Sequence, residues 1–128
     1  MARPSSDFLT EREAQIMEIL WSHGEATAET VRQGLPDEPH DSTVRTLLKV
    51  LKDKGYVRVL GRQPARYRPR VSRERAQSKA AKSLLARLFG GAAEALVLRL
   101  LEDEQLTAEQ IEQLRKTLSS RPRKGDKS

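Results

Sequence analysis

Ile16, Met17, Leu20 and Trp21 recur at helical spacing and predict a first amphipathic helix. Thr10 and Glu13 form a T-x-x-E capping box that can start it, and Gly24 is placed to stop it. A short second helix is expected from about Thr27, a natural N-cap, to Gln33. Ala28 and Val31 face inward in it, and Gly34 and Pro36 end it. The segment 35–41 (LPDEPHD) reads as a turn. A third helix then begins near Asp41 or Ser42, either of which suits an N-cap. Val44, Leu47, Leu48 and Leu51 fall at i, i+3, i+4 and i+7 and form one apolar stripe. The opposite side carries Ser42, Arg45, Thr46, Lys49 and Lys52, and Gly55 closes the helix after Lys54.

The period then changes. Tyr56–Leu60 is rich in β-formers, Gly61–Ala65 reads as a loop, and Arg66–Arg70 returns as a second strand. Pro69 suggests that this strand is an edge or ends there. From Ser72, a good cap, a long fourth helix is expected to about Phe89. Its stripe is Ala76, Ala80, Leu84 and Leu88, with Ala81 and Leu85 alongside. Gly90 and Gly91 break it. Residues 92–101 (AAEALVLRLL) are apolar almost all round, which implies burial on several sides. A last helix starts at Thr107, where Gln110 completes a second capping box and Leu106 and Ile111 stand as a hydrophobic staple. Its stripe is Ile111, Leu114 and Leu118. Met1–Asp7, with Pro4 and two serines, and the basic tail 119–128 read as loose ends, the tail as disordered.

Composition narrows the classes. The chain has 128 residues and a net charge of +6, enough for one ordinary domain or two very small ones. The absence of cysteine removes disulfides, thiolate metal sites and thiol redox chemistry, and fits a cytoplasmic setting. No apolar run approaches a membrane span, and Met1–Phe8 lacks the apolar segment of a secretory signal. The charge is unevenly spread. Residues 1–41 carry −6, residues 42–70 carry nine basic groups against Asp53 alone, residues 90–118 return to −3, and the tail is +3. The basic block therefore coincides with the third helix and the hairpin, a surface suited to phosphate.

Three helices and an arginine-studded hairpin within about 70 residues follow the order of a winged helix-turn-helix. The expected fold class is thus mainly α: a winged helix in residues 1–71, then a small three-helix dimerisation region in 72–118. Ser42, Thr43, Arg45, Thr46 and Lys49 are the candidate base-facing residues, because arginine can pair bidentately with guanine and threonine can meet a thymine methyl or a phosphate. Arg62, Arg66 and Tyr67 are candidate wing contacts to phosphate or sugar. Two of these have plain structural alternatives: Thr43 can serve only the first helical turn, and Tyr67 can belong to the core. Lys52 and Lys54 read as solvated. The segment 72–118 is too small to bury its own apolar surface. Either it folds back onto residues 1–70, or it pairs with a second copy through Ala80, Leu84, Leu88, Leu96, Val97, Leu100, Leu101, Ile111 and Leu114. A symmetric dimer would present two heads to a palindromic duplex.

The stretches LTEREAQIMEILWSHGEATAETV and STVRTLLKVLKDKGYV resemble the penicillinase repressor family, also called BlaI/MecI/CopY. ALVLRLLEDEQLTAEQIEQLRKTL resembles that family's C-terminal dimerisation region, so the likeness runs from about Leu9 to Leu118. It implies a dimeric repressor of operators built on TACA and TGTA half-sites, with DNA contacts on Thr43, Arg45 and Thr46. Antibiotic-sensing members are inactivated by a regulatory protease that cuts in the helix corresponding to 92–101. Their Asn-Phe cut site aligns with Arg99-Leu100, a departure that argues against the same cleavage here. Copper-responsive members carry a cysteine cluster that this sequence lacks. Many members also have arginine where Val50 stands.

The alternative is a helical protein-interaction adaptor whose winged helix no longer binds DNA specifically. Ser42, Arg45 and Lys49 argue against it. Catalysis is not expected. His23 and His40 stand in no triad or metal-ligand spacing and read as a helix-end and a turn residue. Asp37, Glu38 and Asp41 read as turn and cap groups. No metal or cofactor is expected.

Overall fold

A computed structural model describes residues 9–120. The expected loose N-terminus and most of the basic tail lie outside the described residues. The first helix, α1 (Glu11–His23), begins with the capping box in place. Thr10 Oγ1 accepts from the Glu13 amide at 3.2 Å, and Glu13 Oε1 accepts from the Thr10 amide at 2.9 Å. Gly24 ends it at φ 84°. His23 closes its last turn, with Nδ1 2.8 Å from the Ile19 carbonyl oxygen.

A two-residue strand, β1 (Ala26–Thr27), separates α1 from α2 (Ala28–Gly34). Thr27 caps α2 by accepting from the Thr30 amide. Gly34 stands inside the last turn of α2 rather than beyond it. A Cβ there would lie 3.0 Å from Ile19 Cδ1, so its use is the close approach of α2 to α1.

Helix α3 (Asp41–Asp53) follows the turn. Its N-cap is His40, not Asp41 or Ser42: a ring nitrogen accepts from the Ser42 amide at 3.2 Å, while the His40 carbonyl accepts from Thr43 and Val44. Asp41 sits inside the first turn, where the helix dipole favours an acid.

Strands β2 (Val57–Leu60) and β3 (Arg66–Pro69) form the hairpin. The sheet order is β1-β3-β2, all antiparallel. β3 is therefore the central strand and not an edge, while its end at Pro69 agrees with the other reading of that proline. The proline is tolerated because β1 pairs only with Arg66 and Tyr67, leaving Pro69 opposite Val57 at the strand end.

The core lies where these elements meet. Ile16, Met17, Leu20, Val31, Val44, Leu48 and Leu51 are fully buried, joined by Leu35, Tyr56 and Val57. Each such side chain contributes about 1.5–3 kcal/mol over leaving it in water. Leu47, expected in the stripe of α3, is only half-buried against this core. Together the three helices and the three-stranded sheet form a winged helix.

Helix α4 (Arg73–Leu88) starts at Ser72, whose hydroxyl accepts from the Arg75 amide, and α5 (Ala93–Asp103) and α6 (Ala108–Ser120) follow. The second capping box forms: Gln110 Oε1 accepts from the Thr107 amide at 2.9 Å, and Thr107 Oγ1 accepts from the Gln110 amide at 3.0 Å. α6 runs to Ser120, two residues into the segment expected as a disordered tail. Ala76 is the one buried residue of α4, and α5 and α6 bury none. The burial on several sides expected for 92–101 is thus absent in the single chain, and this region does not fold back to cover itself on the head. None of the described helices is long and apolar enough to cross a membrane.

Candidate nucleic-acid interface

The site begins with the two-faced sequence of α3. Val44, Leu48 and Leu51 are fully buried, which turns Ser42, Thr43, Arg45, Thr46 and Lys49 outward, and all five are exposed. The structure therefore brings these sequence-selected residues onto one solvent-facing surface. Two of them are held by acids on their own helix. Arg45 Nε donates to Asp41 Oδ2 at 2.8 Å, and Lys49 Nζ lies 3.4 Å from Asp53 Oδ2. The Asp41 hydrogen bond, and then the Asp41 charge, raise the Arg45 guanidinium above its ordinary pKa. These pairs are one helical turn apart and solvent-facing, so a phosphate or base edge competes for the same cations on nearly equal terms.

The wing is arranged by strand alternation. Arg66 and Arg68 project to the open side of β3, while Tyr67 and Pro69 face the other way. Tyr67 packs, half-buried, against the core, so of its two readings the structural one describes its ring. Arg62 is exposed in the loop between β2 and β3. Arg58 stands directly opposite Arg68 in the β2–β3 pairing, a like-charged cross-strand pair.

Glu25, just before β1, supplies the missing negative charge. Its Oε2 accepts from Arg66 at 2.7 Å and its Oε1 from Arg68 at 2.8 Å. Its carboxyl is held below the usual carboxylate range, chiefly by the Arg68 hydrogen bond and then by the Arg66 charge. Sequence reading did not find Glu25, because its partners are more than 40 positions away and β1 is too short to show a period. Arg58, Arg62 and Arg70 make no ion pair among the described residues.

Lys54 is corrected. It is not a solvated end of α3: its side chain is 14% exposed, and Nζ lies 2.8 Å from Oε1 of buried Glu13. Glu13 therefore caps α1 and also ties the C-terminal end of α3 to it. At the other end, Arg12 donates twice to Asp37, at 2.8 and 2.7 Å, fastening the turn before α3 to α1. Both ends of α3 are anchored. No cluster of three or more His, Asp or Glu side chains able to hold a metal ion lies among the described residues.

The geometry is a rigid helix presenting short polar and basic side chains, flanked by an arginine-rich hairpin. The penicillinase repressor family model matches residues 9–120. The methicillin resistance regulatory protein MecI of Staphylococcus aureus (strain N315) is 27% identical over 116 residues, covering 88% of this chain and 94% of that protein. The penicillinase repressor of Staphylococcus aureus is 29% identical over 110 residues, covering 84% and 87%. Among solved structures, an organohalide-sensing transcriptional regulator in its 2,4-dichlorophenol-bound form aligns at a TM-score of 0.45 and 17% identity. That alignment covers 90% of this chain and 63% of that one. With a family model spanning all the described residues, the winged helix and the three helices after it alike, this chain belongs to the penicillinase repressor family.

Proposed function

We propose that the chain is a homodimeric, sequence-specific DNA-binding repressor of transcription that acts in the cytoplasm. Residues 1–71 form the reading head and 72–118 the dimerisation region. The observation that carries this reading is the exposed face of α3, with Ser42, Thr43, Arg45, Thr46 and Lys49 opposite a fully buried stripe and beside the wing. Arg45 and Thr46 read base edges in the major groove. Arg62 and Arg66 meet phosphate, with Tyr67 contributing at most its hydroxyl edge.

Dimerisation is supported by apolar side chains left in solvent. Leu88 is 71% exposed, and Val97, Leu100, Leu101, Ile111 and Leu114 are each nearly half exposed. Ala80 is exposed as well, and Leu84 and Leu96 are half-buried. Such a surface on a single copy calls for a partner, and a two-fold dimer supplies one while pairing the heads on a palindrome. The TACA and TGTA half-sites are the family expectation for that palindrome. Arg99 and Leu100 stand where the family resemblance puts Asn-Phe in protease-sensitive members, which argues against the same cleavage at that bond.

A mobility-shift titration over salt tests the reading, with a TACA/TGTA palindrome and a scrambled duplex. Affinity should fall with a log–log slope of about −0.9 per phosphate neutralised, and the palindrome should bind more tightly at every salt concentration. Equal affinity for both duplexes throughout would remove specific repression and leave a non-specific or adaptor role.

A further inference from the structure

Between the head and the exposed helices lies a joint built from few residues. Arg73, the first residue of α4, donates twice to Glu18 of α1, Nε to Oε2 and Nη2 to Oε1, both at 2.9 Å. Its guanidinium also lies 5.5 Å from the ring centroid of Trp21, within cation–π range. The Trp21 indole N–H in turn donates to the Val71 carbonyl at 2.8 Å, holding the residue just before the α4 cap. One turn on, Ala76 is buried against the core. Lys79 Nζ then lies 5.9 Å from the Tyr56 ring.

At 100° per residue, Arg73 and Lys79 fall about 60° to either side of Ala76. The helix is thus held across its one buried alanine by two cations, each over an aromatic ring of the head. The two rings belong to different elements. Trp21 is near the end of α1, whereas Tyr56 follows α3, its amide donating to the Leu51 carbonyl at 2.9 Å. The joint therefore fixes the direction of α4 against α3 itself. Beyond it, no residue of α4, α5 or α6 is buried.

We propose that Glu18, Trp21 and Arg73, with Lys79 on Tyr56, are positioning residues that set the half-site spacing the repressor accepts. This rests on the dimeric reading above. In a dimer joined through the C-terminal helices, each head is carried on α4, so the angle held by this joint fixes how far apart the two α3 helices lie and how they face. Duplex DNA turns about 34° per base pair, given 10–10.5 base pairs per turn, so a rigid joint makes affinity steeply dependent on spacing. A loosened joint lets the heads swivel and accept neighbouring spacings. Base preference within each half-site, which α3 sets, stays the same.

The test measures affinity of the full chain for palindromes whose half-sites are moved apart or together by one and two base pairs. The wild type is expected to prefer one spacing by about tenfold or more, a difference of about 1.4 kcal/mol. Arg73→Ala and Glu18→Gln should each cut that preference to within a few-fold, while the palindrome-to-half-site-scramble ratio at the best spacing is retained. The charge-exchanged double variant Glu18→Arg with Arg73→Glu should restore it in part, because the ion pair re-forms without the cation over Trp21. The single tryptophan gives a second readout, because loss of the guanidinium should change Trp21 emission in Arg73→Ala. Thermal unfolding of each variant separates a loosened joint from an unfolded head. Variants that stay folded and discriminate spacing as sharply as wild type overturn the proposal and leave the repressor reading intact. A wild type that does not distinguish palindrome from scramble overturns that underlying reading instead.

Discussion

Arg45 and Arg66 carry the same charge but meet different surroundings, and their substitutions should separate. Arg45 extends from the exposed face of α3 and is held by Asp41, one turn earlier on the same helix. If it reads a base edge, Arg45→Ala relaxes selectivity at one operator position by roughly five- to 150-fold and leaves non-matching duplexes little changed. Arg66 lies on the open side of the wing and is shared with Glu25. Arg66→Ala should weaken every duplex alike and reduce the salt slope by about one. Competition binding against single-base operator variants, repeated at two salt concentrations, distinguishes the two patterns. Glu25 gives the converse expectation. Its carboxylate neutralises part of an arginine cluster that includes the opposed pair Arg58 and Arg68. Glu25→Gln frees that charge for phosphate, so affinity for scrambled DNA rises, the salt slope steepens and the specificity ratio falls. An unchanged slope in Glu25→Gln would show that Arg66 and Arg68 stay away from DNA.

At the scale of elements, legibility followed the length of the periodic signal. The apolar stripe of α3 and the capping boxes at Thr10 and Thr107 were plain in the sequence because each repeats a local rule within one helix. Leu48→Ala should cost about 2–5 kcal/mol as a cavity opens at the centre of the core, and Thr10→Ala about 1 kcal/mol through the lost cap. Denaturant midpoints for the two variants test that order. What the sequence concealed depends on distance along the chain. β1 has two residues, too few for alternation, yet it makes β3 central and brings Glu25 to the wing. Lys54 reads as a solvated lysine until the fold carries it back to Glu13, 41 positions earlier. His40 caps α3 although histidine is an unusual N-cap, because the turn before it aims a ring nitrogen at the Ser42 amide. In the candidate interface, the outward residues of α3 were therefore readable from periodicity. Glu25, the acid that restrains the wing, was not.

The whole molecule joins an acid-dependent head to an uncovered apolar arm, and the two should fail under different conditions. Glu18, Glu25, Glu29 and Asp37 are each held below the ordinary carboxylate range, first by a hydrogen bond from an arginine: Arg73, Arg68, Arg32 and Arg12 respectively. Their folded values lie below the unfolded ones, so the stability they contribute is complete above about pH 5 and is lost as pH falls through the depressed values. Melting temperature measured from pH 7 to pH 2 should fall mainly below about pH 5, and the Arg73→Ala protein should lack the part that Glu18 contributes. The arm is held by a different force. Val97, Leu101, Ile111, Leu114 and Leu118 line one cleft between α5 and α6, and all are open to solvent in the single chain. Apolar association is insensitive to carboxylate titration but intolerant of a buried, unpaired charge. Leu101→Glu places a carboxylate in the lining of that cleft. Sedimentation at neutral pH should then show a single-copy species in place of the dimer proposed for the wild type. The head should retain its melting transition, because no residue of α5 or α6 belongs to its core. Operator affinity should fall far more than affinity for an isolated half-site, since only the palindrome needs two heads on one body. A Leu101→Glu protein that remains dimeric and binds the palindrome at full strength would place the dimer contact elsewhere on the chain.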